Sequence, residues 1–400
     1  MLPDKPVALG TRRSVIRELF EYGNRRAAEI GRENVFDFSL GNPNVPPPPA
    51  VSASIRRLLD VESPIALHGY TSAPGDPNVR KAIAEYITRT YGVQAGPADI
   101  YMTVGAAACL RVCFEALLDP GEEVLSFAPH FPEYKVFVES AGGVFRAVPS
   151  RESDFQPDMA ALEAALNPKT VALILNSPNN PSGTIVTEES LRQLADVLKR
   201  AEVRFGHPIY LIADEPYREL VYDGNTVPYV PCYYDNTLVC YSFSKSLSMP
   251  GGRIGYVFVP KTAEPHDRLM AAIAGAGRAL GYVCAPSLFQ RVVADCLGLT
   301  ADLDTYRVNR DLLYTALTQY GFSAVYPAGA FYLFVKSPDP DANAFSERAK
   351  EYELLLVPSD DFGIPGYVRI SYCVDTDTIR RSLPAFRQLA EAYHLTEEHQ

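Results

Sequence analysis

The chain has 400 residues, 47% hydrophobic and 21% charged. That is the balance of a globular protein, and more length than one core commonly organises, so two domains are expected. A formal net charge of −11 argues against nucleic acid and anionic membrane as partners. Seven cysteines without a Cys-x-x-Cys pair and six scattered histidines read as reduced thiols, not as a disulfide frame or a zinc site. The start, Met1-Leu2-Pro3-Asp4-Lys5, lacks a signal-peptide apolar run, and no stretch approaches the roughly 18 apolar residues of a membrane span. A cytoplasmic location is the expectation.

In chain order, an N-terminal arm leads to Pro43-Asn44-Val45-Pro46-Pro47-Pro48-Pro49, a stiff, extended run suited to a strap. A helix is predicted directly after it, over Ala50–Leu59. Between about residues 76 and 260, helical stretches (Val79–Tyr91, Ala106–Leu118, Met159–Leu166, Glu188–Glu202) alternate with strand-like runs (Glu123–Phe127, Val144–Val148, Thr170–Leu175, Ile209–Ala213, Leu238–Tyr241, Ile254–Val259). Alternation of this kind predicts an α/β architecture, a mostly parallel sheet with helices on both faces. After about residue 286 the order changes to helices, three short strands and a final helix near Thr376–Tyr393, a smaller α+β domain. The expected division is 1–45 (arm), 46–285 (large domain) and 286–400 (small domain).

Four segments carry chemistry. Thr103-Val104-Gly105-Ala106-Ala107-Ala108 follows a short strand and opens an alanine-rich helix. Small residues there expose backbone N–H groups and the positive helix end, which suits a phosphate; standing alone, such a start is better read as tight packing. Asn176-Ser177-Pro178-Asn179-Asn180-Pro181-Ser182-Gly183 follows a strand with a proline-frozen turn and amide donors, or is an ordinary strand-to-helix turn. Asp214, in Ala213-Asp214-Glu215-Pro216-Tyr217, falls at the carboxyl end of a buried strand, where open α/β sheets place ligand groups. A carboxylate there can hold a pyridinium nitrogen protonated, and Tyr217 can reach a ring hydroxyl; the plainer alternative is a helix N-cap. Lys245, in Tyr241-Ser242-Phe243-Ser244-Lys245-Ser246-Leu247, can form a Schiff base with an aldehyde cofactor, with Ser242 and Arg253 anchoring an anionic group. Alone it is a solvated charge; the other three segments supply the remaining parts of a pyridoxal-phosphate site.

Together these segments resemble the class I aminotransferases, pyridoxal-phosphate enzymes of fold type I, in order and spacing over nearly the whole chain. The resemblance implies the seven-stranded type of sheet, and an N-terminal segment packed with the small domain. It implies that Lys245 is the Schiff-base lysine, that Asp214 pairs with the ring nitrogen, and that Tyr217 and Asn180 bind the ring hydroxyl. Ser242, Arg253 and the backbone at Gly105, Ala106 and Ala107 would hold the phosphate. Phe131, in Pro129-His130-Phe131-Pro132, matches the ring-stacking aromatic. Tyr70, in Gly69-Tyr70-Thr71, matches the tyrosine that reaches the phosphate of the other subunit in a homodimer with shared sites. Arg369, in Tyr367-Val368-Arg369-Ile370-Ser371, matches the arginine that clamps the substrate carboxylate, and Gly41 the glycine lining the substrate side.

The implied activity is ping-pong transfer of an amino group from an L-amino acid to a 2-oxo acid, with aspartate or glutamate favoured as donor. Some prokaryotic relatives carry a lysine where Ala107 stands; Arg278 is the substitute nominated here for a second carboxylate, with Arg12 and Arg13 as further candidates. A carbon–sulfur β-lyase, or an aminotransferase for neutral or aromatic amino acids, would use the same constellation. Ser242-Phe243-Ser244-Lys245 also fits the Ser-x-x-Lys of acyl-serine hydrolases, but the accompanying Ser-Asp-Asn and Lys-Thr-Gly are absent. Gly275-Ala276-Gly277-Arg278-Ala279-Leu280-Gly281 is one residue too long for a dinucleotide fingerprint.

Overall fold

A computed structural model describes residues 2–11 and 14–395. Arg12 and Arg13 lie outside the described residues. In chain order the strands are β1 Phe36–Asp37, β2 Ile100–Thr103, β3 Glu123–Ala128, β4 Val144–Pro149, β5 Thr170–Asn176, β6 Tyr210–Asp214, β7 Thr237–Ser242, β8 Gly255–Phe258, β9 Tyr332–Lys336, β10 Leu354–Leu355, β11 Val357–Pro358 and β12 Tyr367–Ser371. The main sheet has seven strands in the order β2-β8-β7-β6-β5-β3-β4. Only β8 runs against the others: its pairings with β2 and β7 are antiparallel, and the rest of the sheet is parallel.

Both faces of this sheet are covered, which is why its strands read as continuous apolar runs instead of alternating ones. Side-chain alternation divides the core. Leu173, Leu175, Leu211, Ala213 and Val239 face one apolar cluster, shared with the helices Pro77–Tyr91 and Glu188–Phe205. Ala172, Ile174, Ile212, Leu238 and Cys240 face another, shared with the helices Ala106–Leu117 and His266–Leu280. Helix ends follow local chemistry. Asp76 and Thr187 accept N-terminal N–H groups, and Gly92 and Gly206 take the left-handed conformation at the C-termini.

A separate cluster joins Phe38 and Val45 of the N-terminal segment to β9, β12 and the helices Leu303–Gln319, Ala342–Lys350 and Thr376–Ala392. β9, β11 and β12 form a small antiparallel sheet, and β1 pairs parallel with β10. Two details differ from the sequence reading. The helix Ser287–Asp295 packs in the main-sheet core through Val292 and Val293, so the seam between the cores falls nearer residue 298 than 286. The proline run ends as a helix start, with Pro49 opening the helix Pro49–Val61.

Candidate active site

Several strands of the main sheet end at one rim, and β6 and β7 each end there in a predicted site residue. β5 ends in Asn176 and β6 in Asp214, opposite one another in register. β7 ends in Ser242, opposite Gly255 of β8, which is also opposite Thr103 at the end of β2. Gly105 follows β2 at φ +106° and N-caps the helix Ala106–Leu117. A Cβ at Gly105 would meet the Arg253 guanidinium at 2.9 Å, so glycine lets helix start and arginine share one corner. Around this rim lies a cavity of about 570 Å³, lined among others by Gly41, Ala106, Ala107, Phe131, Asn180, Asp214, Tyr217, Ser242, Lys245, Arg253 and Arg369. Segments more than 300 residues apart in the chain thus converge on one space.

Asp214 is buried, 4% exposed. Tyr134 donates to its Oδ2 at 2.5 Å, and Asn176 donates to its backbone carbonyl at 2.8 Å. The other carboxylate oxygen has no partner. Burial pushes the acid up to about 7; the Tyr134 hydrogen bond opposes this, and the neighbouring Glu215 adds to it. Glu215 itself pairs with Arg218, whose guanidinium lies over the rings of Tyr91 and Tyr229.

Lys245 sits in the short helix Phe243–Ser246, capped by Ser242. Its Nζ donates to the Gly41 carbonyl at 2.6 Å and lies 5.4 Å from the Phe331 ring centre. This ammonium is lowered to about 8, chiefly by burial, with Cys373 opposing and the charges of Arg369 and Arg253 assisting. Ser242 Oγ donates to Ser244 Oγ at 2.8 Å, so no serine–lysine bond of the acyl-serine type is made.

Arg369 is 2% exposed on β12. It donates to Asn180 Oδ1 at 3.0 Å and to the Ser39 carbonyl at 2.6 Å, while Nε has no partner. Its guanidinium stands 4.7 Å over the Tyr332 ring. Tyr217 shares a 2.7 Å hydroxyl–hydroxyl hydrogen bond with Tyr332. Gly41 is a close-approach position: a Cβ there would overlap the Tyr332 hydroxyl.

Two predicted residues stand apart from the cavity. Tyr70 is 97% exposed, and Arg278 is exposed on the helix His266–Leu280. That helix also contains Gly275 and Gly277 of the rejected dinucleotide pattern, and Gly281 caps its C-terminus. Several residues at the site were not anticipated. Tyr134 and Tyr332 buttress Asp214 and Tyr217. Arg17 and Glu133 line the cavity, Arg17 in the first turn of the helix Val15–Ile30, which Ser14 caps. Tyr134 follows Phe131 at helical spacing, which was the one available signal; Tyr332 lies in an apolar run that hides it.

The sequence profile of the family described as aminotransferase class I and II matches residues 33–386. This chain belongs to that family. It is similar to an amino transferase from Eubacterium rectale, with 53% identity, a TM-score of 0.97, and 98% of this chain and 99% of the other covered. A probable aspartate/prephenate aminotransferase from Thermus aquaticus is 32% identical, over 91% of this chain and 94% of the relative. The aspartate aminotransferase of Thermus thermophilus, solved with maleate, is 30% identical with a TM-score of 0.83, over 97% and 99%. The protein is therefore a pyridoxal-phosphate-dependent aminotransferase of fold type I.

The cavity suits that cofactor on its own chemistry. Its volume is that of a small-molecule site. It presents an unpartnered buried carboxylate oxygen for a ring cation, a primary amine bonded only to a backbone carbonyl, and a helix N-terminus with Arg253 beside it for a phosphate. Among the described residues no helix is long and apolar enough to cross a membrane.

Proposed function

We propose that Lys245, Asp214 and Tyr217 carry the chemistry of an aminotransferase that favours dicarboxylic donors. The observation behind this reading is that an unpartnered Asp214 oxygen and the Lys245 amine line one cavity. Asp214 would face the ring nitrogen, Tyr217 and Asn180 would flank the ring hydroxyl, and Phe131 would cover the ring. Gly105, Ala106, Ala107, Ser242 and Arg253 would hold the phosphate. Gly41 lines the substrate side.

When bound, pyridoxal phosphate supplies an aldehyde carbon for the substrate's amine and a ring that withdraws electrons from the α-carbon. The residues do the rest. Arg369 takes the α-carboxylate through its guanidinium, relinquishing Asn180 or Ser39. That fixes the Cα–H bond relative to Lys245. Lys245, with its amine free, would be the base that takes the proton from Cα and the acid that gives it back. An amine titrating near 8 leaves roughly a tenth of the lysine neutral at pH 7, against less than a thousandth for an ordinary lysine. Asp214 stays ionised against the ring cation, which reverses the effect of its burial.

A dicarboxylic donor needs a second cation. Arg17 lines the same cavity from the N-terminal helix, and no salt bridge among the described residues engages it. Arg278 is exposed and would serve only the site of another subunit. The reading is an active homodimer, with Tyr70 completing its partner's phosphate site, located in the cytoplasm in keeping with seven unpaired cysteines. The three-part division is supported by the separate apolar clusters, with residues 287–297 assigned to the large domain.

A panel of amino donors, followed through the half-reaction by the cofactor's absorbance, tests the substrate class. Aspartate or glutamate should have the highest kcat/KM. Arg17→Met or Arg278→Ala should lower that value by about tenfold or more while leaving alanine nearly unchanged. A wild type that prefers neutral donors removes the dicarboxylate reading.

A further inference from the structure

Tyr332 touches three groups of the site at once. Its hydroxyl lies 2.7 Å from that of Tyr217. Its ring meets the Tyr217 ring edge-on at 5.6 Å, and the Arg369 guanidinium stands 4.7 Å over it. Gly41 approaches so closely that any side chain there would strike the Tyr332 hydroxyl. Both tyrosines are buried. The hydroxyl therefore has little freedom to turn away from Tyr217.

A phenol has one proton to donate. In a pair of phenols one donates and the other accepts, and either order satisfies the 2.7 Å contact. An anionic ring oxygen beside Tyr217 breaks the tie. A hydrogen bond to an anion is the stronger of the two available to Tyr217, so its proton turns to the ring oxygen. The Tyr332 proton is then donated to Tyr217, and the two bonds polarise one another in series. Burial pushes Tyr332 up to about 12, so it keeps that proton at working pH.

We propose that Tyr332 is a positioning residue: it orients the Tyr217 hydroxyl proton toward the cofactor's ring oxygen and strengthens that hydrogen bond. The proposal rests on Tyr217 being the ring-hydroxyl partner. Because Arg369 lies on the face of the same ring, Tyr332 also joins the carboxylate-binding group to the group that holds the ring oxygen.

The test uses the holoenzyme and Tyr332→Phe, which keeps the ring under Arg369 and removes one oxygen. The other charges facing the cavity (Arg17, Glu133, Asp214, Lys245, Arg253 and Arg369) are unchanged in the variant. The pH titration of the bound cofactor's visible absorbance should move upward by about half to one unit, because the anionic oxygen loses support. Tyr217→Phe should move it further in the same direction. The double variant should match Tyr217→Phe, since Tyr332 acts only through Tyr217. Cofactor affinity, measured by titrating apoprotein with pyridoxal phosphate, should fall about threefold to tenfold in Tyr332→Phe. An unmoved titration in Tyr332→Phe, or a shift that adds to that of Tyr217→Phe, overturns the proposal and leaves Tyr217 in place. An unmoved titration in Tyr217→Phe overturns both.

Discussion

Asp214 is an acid that folding makes weak and the cofactor should make strong again, and Asp214→Asn separates the two effects. In the apoprotein its carboxyl is lifted from an ordinary value of 3.8 to about 7, chiefly by burial. Between those values the folded state binds a proton that the unfolded state has released, so stability falls as pH rises through this window. The loss of stability relative to an unshifted acid follows from the two constants: about 1.7 kcal/mol at roughly pH 5, where the folded acid is still protonated, and about 4.3 kcal/mol at roughly pH 8. Asparagine has nearly the same shape, can still accept from Tyr134, and carries no charge. Urea melts of apoprotein should therefore show Asp214→Asn gaining on the wild type by about 2.6 kcal/mol between these pH values. Saturating pyridoxal phosphate should reverse the order, because the wild type gains an ion pair that the variant cannot make. A stability difference that stays constant from pH 5 to pH 8 would show that Asp214 is not desolvated as its surroundings imply. An unreversed order in the holoenzyme would deny it the ring nitrogen.

Borohydride reduction of the holoenzyme should fix the cofactor on one peptide containing Lys245, and Lys245→Ala should abolish turnover; label on another lysine contradicts the site. If Tyr70 serves the other subunit, mixing Tyr70→Phe with Lys245→Ala chains gives hybrids with one intact and one doubly damaged site. Activity should then rise toward roughly a quarter of wild type, whereas no gain on mixing places Tyr70 outside the shared site.

The parts legible in the sequence are those whose chemistry is local. Asn176, Asp214 and Ser242 each close a buried apolar run, and a residue at the carboxyl end of a parallel strand lies at the rim whatever packs around it. Gly105 and the alanines after it announce a helix start by composition alone. Tyr134 and Tyr332 act through partners 80 and 115 residues away, and no local pattern encodes that distance. The reversed direction of β8 was equally hidden, since a strand buried on both faces reads alike in either orientation. The helix Val15–Ile30 buries only Leu19 and Gly23. So sparse an apolar face reads as an arm, and Arg17 was passed over with it.

The separation of opposite charges in the cavity is itself part of the design. Asp214, Lys245 and Arg369 all line it, and among the described residues none makes a salt bridge: Tyr134 donates to one oxygen of the acid, the Gly41 carbonyl accepts from the amine, and Asn180 with the Ser39 carbonyl accepts from the guanidinium. An ion pair at about 4 Å is worth on the order of 4 kcal/mol at an effective dielectric near 20, a factor of about a thousand in an ionisation constant. Direct pairing of Asp214 with Lys245 would cancel the displacement of both, leaving an ordinary carboxylate and a lysine too basic to take a proton from carbon. Neutral partners keep each group desolvated and uncompensated. On the proposed reading the compensation would come from the ligands: a ring cation for Asp214, an α-carboxylate for Arg369, and a carbon-bound proton for Lys245. Replacing any neutral partner with a charge, as in Tyr134→Lys, should therefore damage the site even where it adds an attraction.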